Sequence, residues 1–157
     1  MKVDHVAIAV WDLGRALDLW QKLLGGRFKQ GVANLRGVTA VQLDYAAGSR
    51  IELITPSADP HGFLKDFLHK RGEGMHHVTF ITMDLHGAVG NLKRAGYRVV
   101  SEDYSDPHWS EAFLSPSSTH GVLIQIAQSD LSQGQQDTYF GTDLHRVLEA
   151  ARRVRDL

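Results

Sequence analysis

Followed by its apolar periodicity, the chain falls into two halves of the same kind. His5 to Val10 (HVAIAV) and His77 to Ile81 (HVTFI) are short extended runs opened by histidine, and each leads to an aspartate, Asp12 or Asp84, placed to cap a helix. Behind Asp12, the residues Leu13, Ala16, Leu17, Trp20 and Leu24 recur at helical spacing; behind Asp84, Leu85, Ala88, Val89 and Leu92 do the same. Glycines close both helices, at Gly25-Gly26 and Gly96. Three segments of strand character follow each helix: Arg27 to Leu35, Val38 to Ala46 and Arg50 to Thr55, then Tyr97 to Glu102, Glu111 to Ser115 and Gly121 to Ala127. Each half therefore reads β-α-β-β-β.

Laying residues 5–13 over residues 77–85 matches His, Val, Asp and Leu at a constant offset of 72 residues, and Ala16 then falls on Ala88. Solenoid repeats are shorter, about 20–50 residues, so two copies of about 70 indicate a duplicated module with pseudo-twofold symmetry. The expected fold class is α+β, with two tandem βαβββ modules forming a curved mixed sheet around a central groove, plus a C-terminal helix. Residues 1–57 form the first module, 58–74 a linker helix carrying Phe63, Phe67 and Leu68, and 75–128 the second module, all within one domain. The tail, 129–157, begins polar and ends in a helix from about Thr142 to Arg155. Its modest apolar stripe of Leu144, Val147, Leu148 and Ala151 reads as a solvated or dimer-packing helix.

One polar residue interrupts this pattern. In GVLIQIAQ, from Gly121 to Gln128, Gln125 shares a strand face with Leu123 and Ala127. A buried amide without a partner costs about 1–3 kcal/mol, so it needs a cross-strand group, a metal or a substrate. The repeat supplies a symmetry mate, Glu52 in RIELI, 73 residues earlier on the last strand of the first module. His5 and His77 open the first strands. In a symmetric pair of modules these four side chains converge, and imidazole nitrogen with carboxylate and amide oxygen suits a divalent ion, making the shared cleft a metal-binding groove. His76 is the rival to His77, but alternation sends it to the opposite face and the repeat register selects His77. His108, Trp109 and Glu111, in DPHWSE, are candidate substrate contacts at the groove mouth.

Composition narrows the functions. The 157 residues suit one domain, and 17 basic against 18 acidic side chains leave no broad basic field for nucleic acid or membrane phosphate. The absence of cysteine excludes disulfides, thiolate catalysis and Cys-zinc sites. No apolar run approaches the roughly 18 residues of a membrane span, and the N-terminus lacks the apolar core of a secretion signal. A cytoplasmic homodimer acting on a small molecule is expected.

The segments DHVAIAVWDLGRALDLWQKLLGG, RIELITP, FLKDFLHKRGEGMHHVTF and AFLSPSSTHGVLIQI resemble, in order, those of the vicinal oxygen chelate superfamily, and within it most nearly the methylmalonyl-CoA epimerase family. The likeness covers residues 2–128; the tail from Ser129 has no counterpart. It implies a divalent metal (Co, Mn, Ni, Zn, Mg or Fe) held by His5, Glu52, His77 and Gln125. Two departures stand out. The family's last-strand glutamate, ligand and proton carrier, is Gln125 here, and a second catalytic glutamate is replaced by Leu35. Glu52 remains the candidate catalytic carboxylate. The resemblance implies a metal-dependent epimerase or isomerase that acts on a C–H beside a carbonyl through a metal-stabilised enolate, on an acyl-CoA, a hydroxyketone or a cyclitol ketone. The alternatives are an Fe(II) oxygenase of the same superfamily and a metal-free drug-binding protein.

Overall fold

The structure, a computed structural model, describes residues 1–57, 62–139 and 141–155. Residues 58–61 of the expected linker, and 140, 156 and 157 of the tail, lie outside the described residues. Among the described residues there are eight strands: β1 (Lys2–Ala9), β2 (Arg27–Leu35), β3 (Val38–Asp44), β4 (Arg50–Pro56), β5 (Gly74–Ile81), β6 (Val99–Asp103), β7 (Ser110–Leu114) and β8 (Leu123–Gln128). They form one mixed sheet in the order β2-β3-β4-β1-β5-β8-β7-β6, the α+β class expected. The helices are α1 (Leu13–Leu17), α2 (Phe63–Arg71), α3 (Leu85–Arg94), α4 (Gln133–Tyr139) and α5 (Leu144–Arg155). None among the described residues is long and apolar enough to cross a membrane.

The duplication reappears in the backbone. Val10 donates its N–H to the Ile54 carbonyl and Thr82 donates to that of Ala127, both at 2.9 Å, at the offsets that relate the two histidines and the Glu52/Gln125 pair. Both aspartate caps form: Asp12 Oδ1 accepts from Arg15 N at 3.0 Å and Asp84 Oδ1 from Gly87 N at 2.8 Å. The first helix differs from its expected form, because after Leu17 it widens into a π-helical segment, Asp18–Leu23. The Trp20 carbonyl there accepts from the Tyr45 hydroxyl at 2.5 Å.

The chain divides into two compact units, neither contiguous in sequence: residues 1–6 with 76–132, and residues 7–75 with 133–157. In the first, α3 buries Leu85 and Val89 against Ala112, Leu114 and Ile126. Alternation then assigns Glu111, Phe113 and Gln125 to the other face of β7 and β8. β5 and β8 run parallel, with Thr79 in register with Gln125.

In the second unit, Val10, Leu13, Leu17, Val41, Leu43 and Leu53 form the main cluster, while α2 packs Leu64 and Leu68 on Ala7, Ala9, Ala40 and Ile54. The tail helix is not the solvated element that was one of the two sequence expectations for it. Val147 is fully buried in the main cluster, with Leu144, Leu148 and Ala151 packed against it. Burying a side chain of this size contributes about 1.5–3 kcal/mol. The approach is close because Gly31 of β2 has no side chain: a Cβ there would lie 2.4 Å from Val147 Cγ2. Thr142 N–H donates to the Gly31 carbonyl at 2.7 Å and ties the start of the helix to the strand.

Candidate metal centre

His5 and His77, in the first unit, and Glu52, in the second, each offer a ligand atom suited to a metal ion. His5 and His77 are 4% and 7% exposed, and their rings meet edge to face at 5.8 Å. The fourth expected ligand, Gln125, is equally buried and is tied to His5 through a residue that the sequence reading missed. Thr79 Oγ1 lies 2.9 Å from His5 Nε2 and donates to Gln125 Oε1 at 2.6 Å. The signal for Thr79 was available: it is two residues past His77, hence on the same strand face, and sits in an apolar run.

Proton counting tests whether these residues fit a cation. His5 Nδ1 lies 3.0 Å from Asp4 Oδ2. With its proton on Nδ1, His5 donates to Asp4 and keeps a lone pair on Nε2, the form a metal-ligating histidine takes beside a carboxylate. The single Thr79 proton then faces two acceptors, His5 Nε2 and Gln125 Oε1. One proton between two acceptors leaves a lone pair that a bound cation can satisfy. The Gln125 oxygen has two lone pairs, so the Thr79 hydrogen bond leaves one for an ion.

His76 is less separate from His77 than alternation implies. It is buried, and its Nδ1 is 2.8 Å from His77 Nδ1, so one ring donates and the other accepts. Ligation by His77 through Nε2 matches the arrangement in which His77 donates and His76 accepts.

Glu52 is held from its own unit by a ladder of amides. Gln42 Nε2 donates to Glu52 Oε1 at 2.9 Å and Gln30 Nε2 to Gln42 Oε1 at 3.0 Å, each between register partners on β2, β3 and β4. Gln42, 8% exposed on an apolar strand, carried the same signal as Gln125.

The three expected substrate contacts separate into two groups. Gln125 Nε2 and Trp109 Nε1 both donate to Glu111 Oε2 at 2.8 Å, which joins Glu111 and Trp109 to the network around His5. His108 instead pairs with Asp130 at 2.9 Å and, with Leu85, His86, Tyr104 and Gln128, lines a cavity of about 230 Å³ that Trp109 also borders. Gln128 and Ser110 occupy the strand positions that alternate with Gln125 and Glu111, so this cavity opens on the α3 face. In it the His86 and Tyr104 rings stack at 4.2 Å, and burial together with the Glu102 carboxylate pushes the Tyr104 hydroxyl pKa up.

A duplicated βαβββ chain of this kind has known counterparts. The model of the glyoxalase/bleomycin resistance protein/dioxygenase superfamily matches residues 4–113, and the chain belongs to that superfamily. Among curated relatives, the mitochondrial methylmalonyl-CoA epimerase of Bos taurus is 32% identical over 133 residues, covering 82% of this chain and 74% of its own. Among solved structures, methylmalonyl-CoA epimerase from Mycobacterium tuberculosis is similar with a TM-score of 0.72 at 26% identity, over 85% of this chain and 91% of that one. A Streptomyces coelicolor methylmalonyl-CoA epimerase variant in complex with 2-nitronate-propionyl-CoA gives 0.72 at 27% identity, over 83% and 99%.

Proposed function

We propose that the protein is a divalent-metal-dependent epimerase or isomerase of acyl-CoA thioesters that makes the C–H beside the thioester carbonyl exchangeable. The observation that carries this is the buried network of His5, His77, Thr79 and Gln125, in a chain whose relatives include methylmalonyl-CoA and ethylmalonyl-CoA epimerases. His5, Glu52 and His77 hold the ion, and Gln125 adds an amide oxygen as the fourth ligand. When bound, the ion supplies positive charge where the carbonyl oxygen becomes anionic.

The residues of this chain set the rest. Thr79 orients Gln125 and His5, Asp4 fixes the His5 tautomer, and the amide ladder through Gln42 steers Glu52. An amide does not accept a proton at neutral pH, and neither does Leu35, which stands 47% exposed at the end of β2. Glu52 therefore serves one face of the reacting carbon as well as the metal. The replaced glutamate positions favour a substrate other than, or besides, methylmalonyl-CoA.

The test is deuterium incorporation at the α-carbon when methylmalonyl-CoA, ethylmalonyl-CoA and other branched acyl-CoA esters are incubated in D₂O with protein loaded with Co, Mn, Ni, Zn or Mg. Metal-dependent exchange is expected with at least one ester; none across the panel and the metals sinks the proposal. The same two-histidine, one-carboxylate set also suits Fe(II), which favours an oxygenase as the second reading. Oxygen consumption that requires added Fe(II) selects it.

A further inference from the structure

Gln125, buried on β8, holds a carboxylate in place. Glu111 lies on the neighbouring strand β7, two residues from Phe113, whose ring meets that of His77 at 6.1 Å. Both N–H donors, Gln125 Nε2 and Trp109 Nε1, converge on Glu111 Oε2 at 2.8 Å. Two N–H donors on one carboxylate oxygen define its orientation more tightly than one. From there the chain of contacts runs through Gln125 Oε1 and Thr79 Oγ1 to His5 Nε2, so Glu111 touches one proposed ligand, Gln125, and reaches a second, His5, through Gln125 and Thr79. The amide of Gln125 accepts from Thr79 with its oxygen and donates to the carboxylate with its nitrogen.

Resting on the acyl-CoA epimerase reading, we propose that Glu111 is a catalytic residue, the acceptor of the substrate proton on one face of the reacting carbon. Gln125 and Trp109 are its positioning residues. In the forward step the α-carbon C–H bond breaks and its proton forms an O–H bond with the Glu111 carboxylate. The released electron pair becomes the carbon–carbon double bond of the enolate, and the carbonyl π pair moves to oxygen. Proton return from Glu111 restores the original configuration, and return to the opposite face of the carbon inverts it.

Wild type, Glu111→Gln and Trp109→Phe are compared for solvent deuterium incorporation into methylmalonyl-CoA and ethylmalonyl-CoA, with metal content per chain and thermal midpoint measured on each. Glu111→Gln is expected to slow exchange about 10²- to 10⁴-fold, chiefly in kcat, at wild-type metal content and midpoint. Trp109→Phe, which leaves the carboxylate but removes one of its donors, should lose less, again mainly in kcat. Exchange by Glu111→Gln within threefold of wild type overturns the assignment while leaving the epimerase reading intact. Loss of metal or of the folded state in Glu111→Gln makes the residue structural and also overturns it. Absence of exchange in the wild type overturns both readings.

Discussion

Thr79 and Gln125 face each other in register on the parallel strands β5 and β8, and the hydroxyl of one donates to the amide oxygen of the other at 2.6 Å. The pair links the two ends of the buried polar network, because Thr79 also touches His5 and Gln125 also touches Glu111. Thr79→Val keeps the shape and removes the hydroxyl. Stability in urea denaturation should fall by about 1–3 kcal/mol, the cost of a buried acceptor that loses its donor. An unchanged midpoint would show that the network tolerates a missing link.

Glu52 takes its orientation from Gln42. Gln42→Leu removes the donor at Glu52 Oε1, and the affinity for divalent metal, read by isothermal titration, should weaken by about 10- to 100-fold. His77→Ala should abolish stoichiometric binding. Retention of full affinity by both variants would remove this cluster as the metal centre.

Helix α5 reaches β2 only because residue 31 lacks a Cβ. Gly31→Ala should cost about 1–3 kcal/mol through overpacking against Val147, and adding Val147→Ala should recover part of that loss. Strict additivity of the two substitutions would contradict the close approach.

Glu102 ties β6 to α3. The Lys93 ammonium donates to Glu102, and this holds its carboxyl below the usual carboxylate range. A carboxyl whose pKa is lower in the folded than in the unfolded chain stabilises above its unfolded pKa, and that stabilisation is lost as pH falls through the folded value. Wild type should therefore exceed Glu102→Gln in thermal midpoint at neutral pH, and the two should converge on acidification below about pH 4.5. The gap should be small and shrink with salt, since the pair is exposed.

The apolar periods of His5 to Val10 and His77 to Ile81, the two aspartate caps and the 72-residue offset were local properties, legible from the order of residues alone. They carried the βαβββ repeat, most strand limits to within two or three residues, and the four polar positions. Alternation along one strand also puts His77 and Thr79 on one face, because side-chain direction in an extended chain follows from position.

What alternation does not encode is which side chain of one strand meets which of another. Thr79 became a hinge of the network through its register with Gln125, and Glu111 separated from His108 because the two ended on different hydrogen-bond partners. The tail helix offered only a modest stripe, and Val147 gained a fully buried seat because Gly31 lies far away in sequence and close in space. Gln125 shows both levels: its polarity among apolar neighbours was written in the chain, while its partners, Thr79 on one strand and Glu111 on another, were set by long-range pairing, which depends on the packing of the whole sheet rather than on any local run of residues.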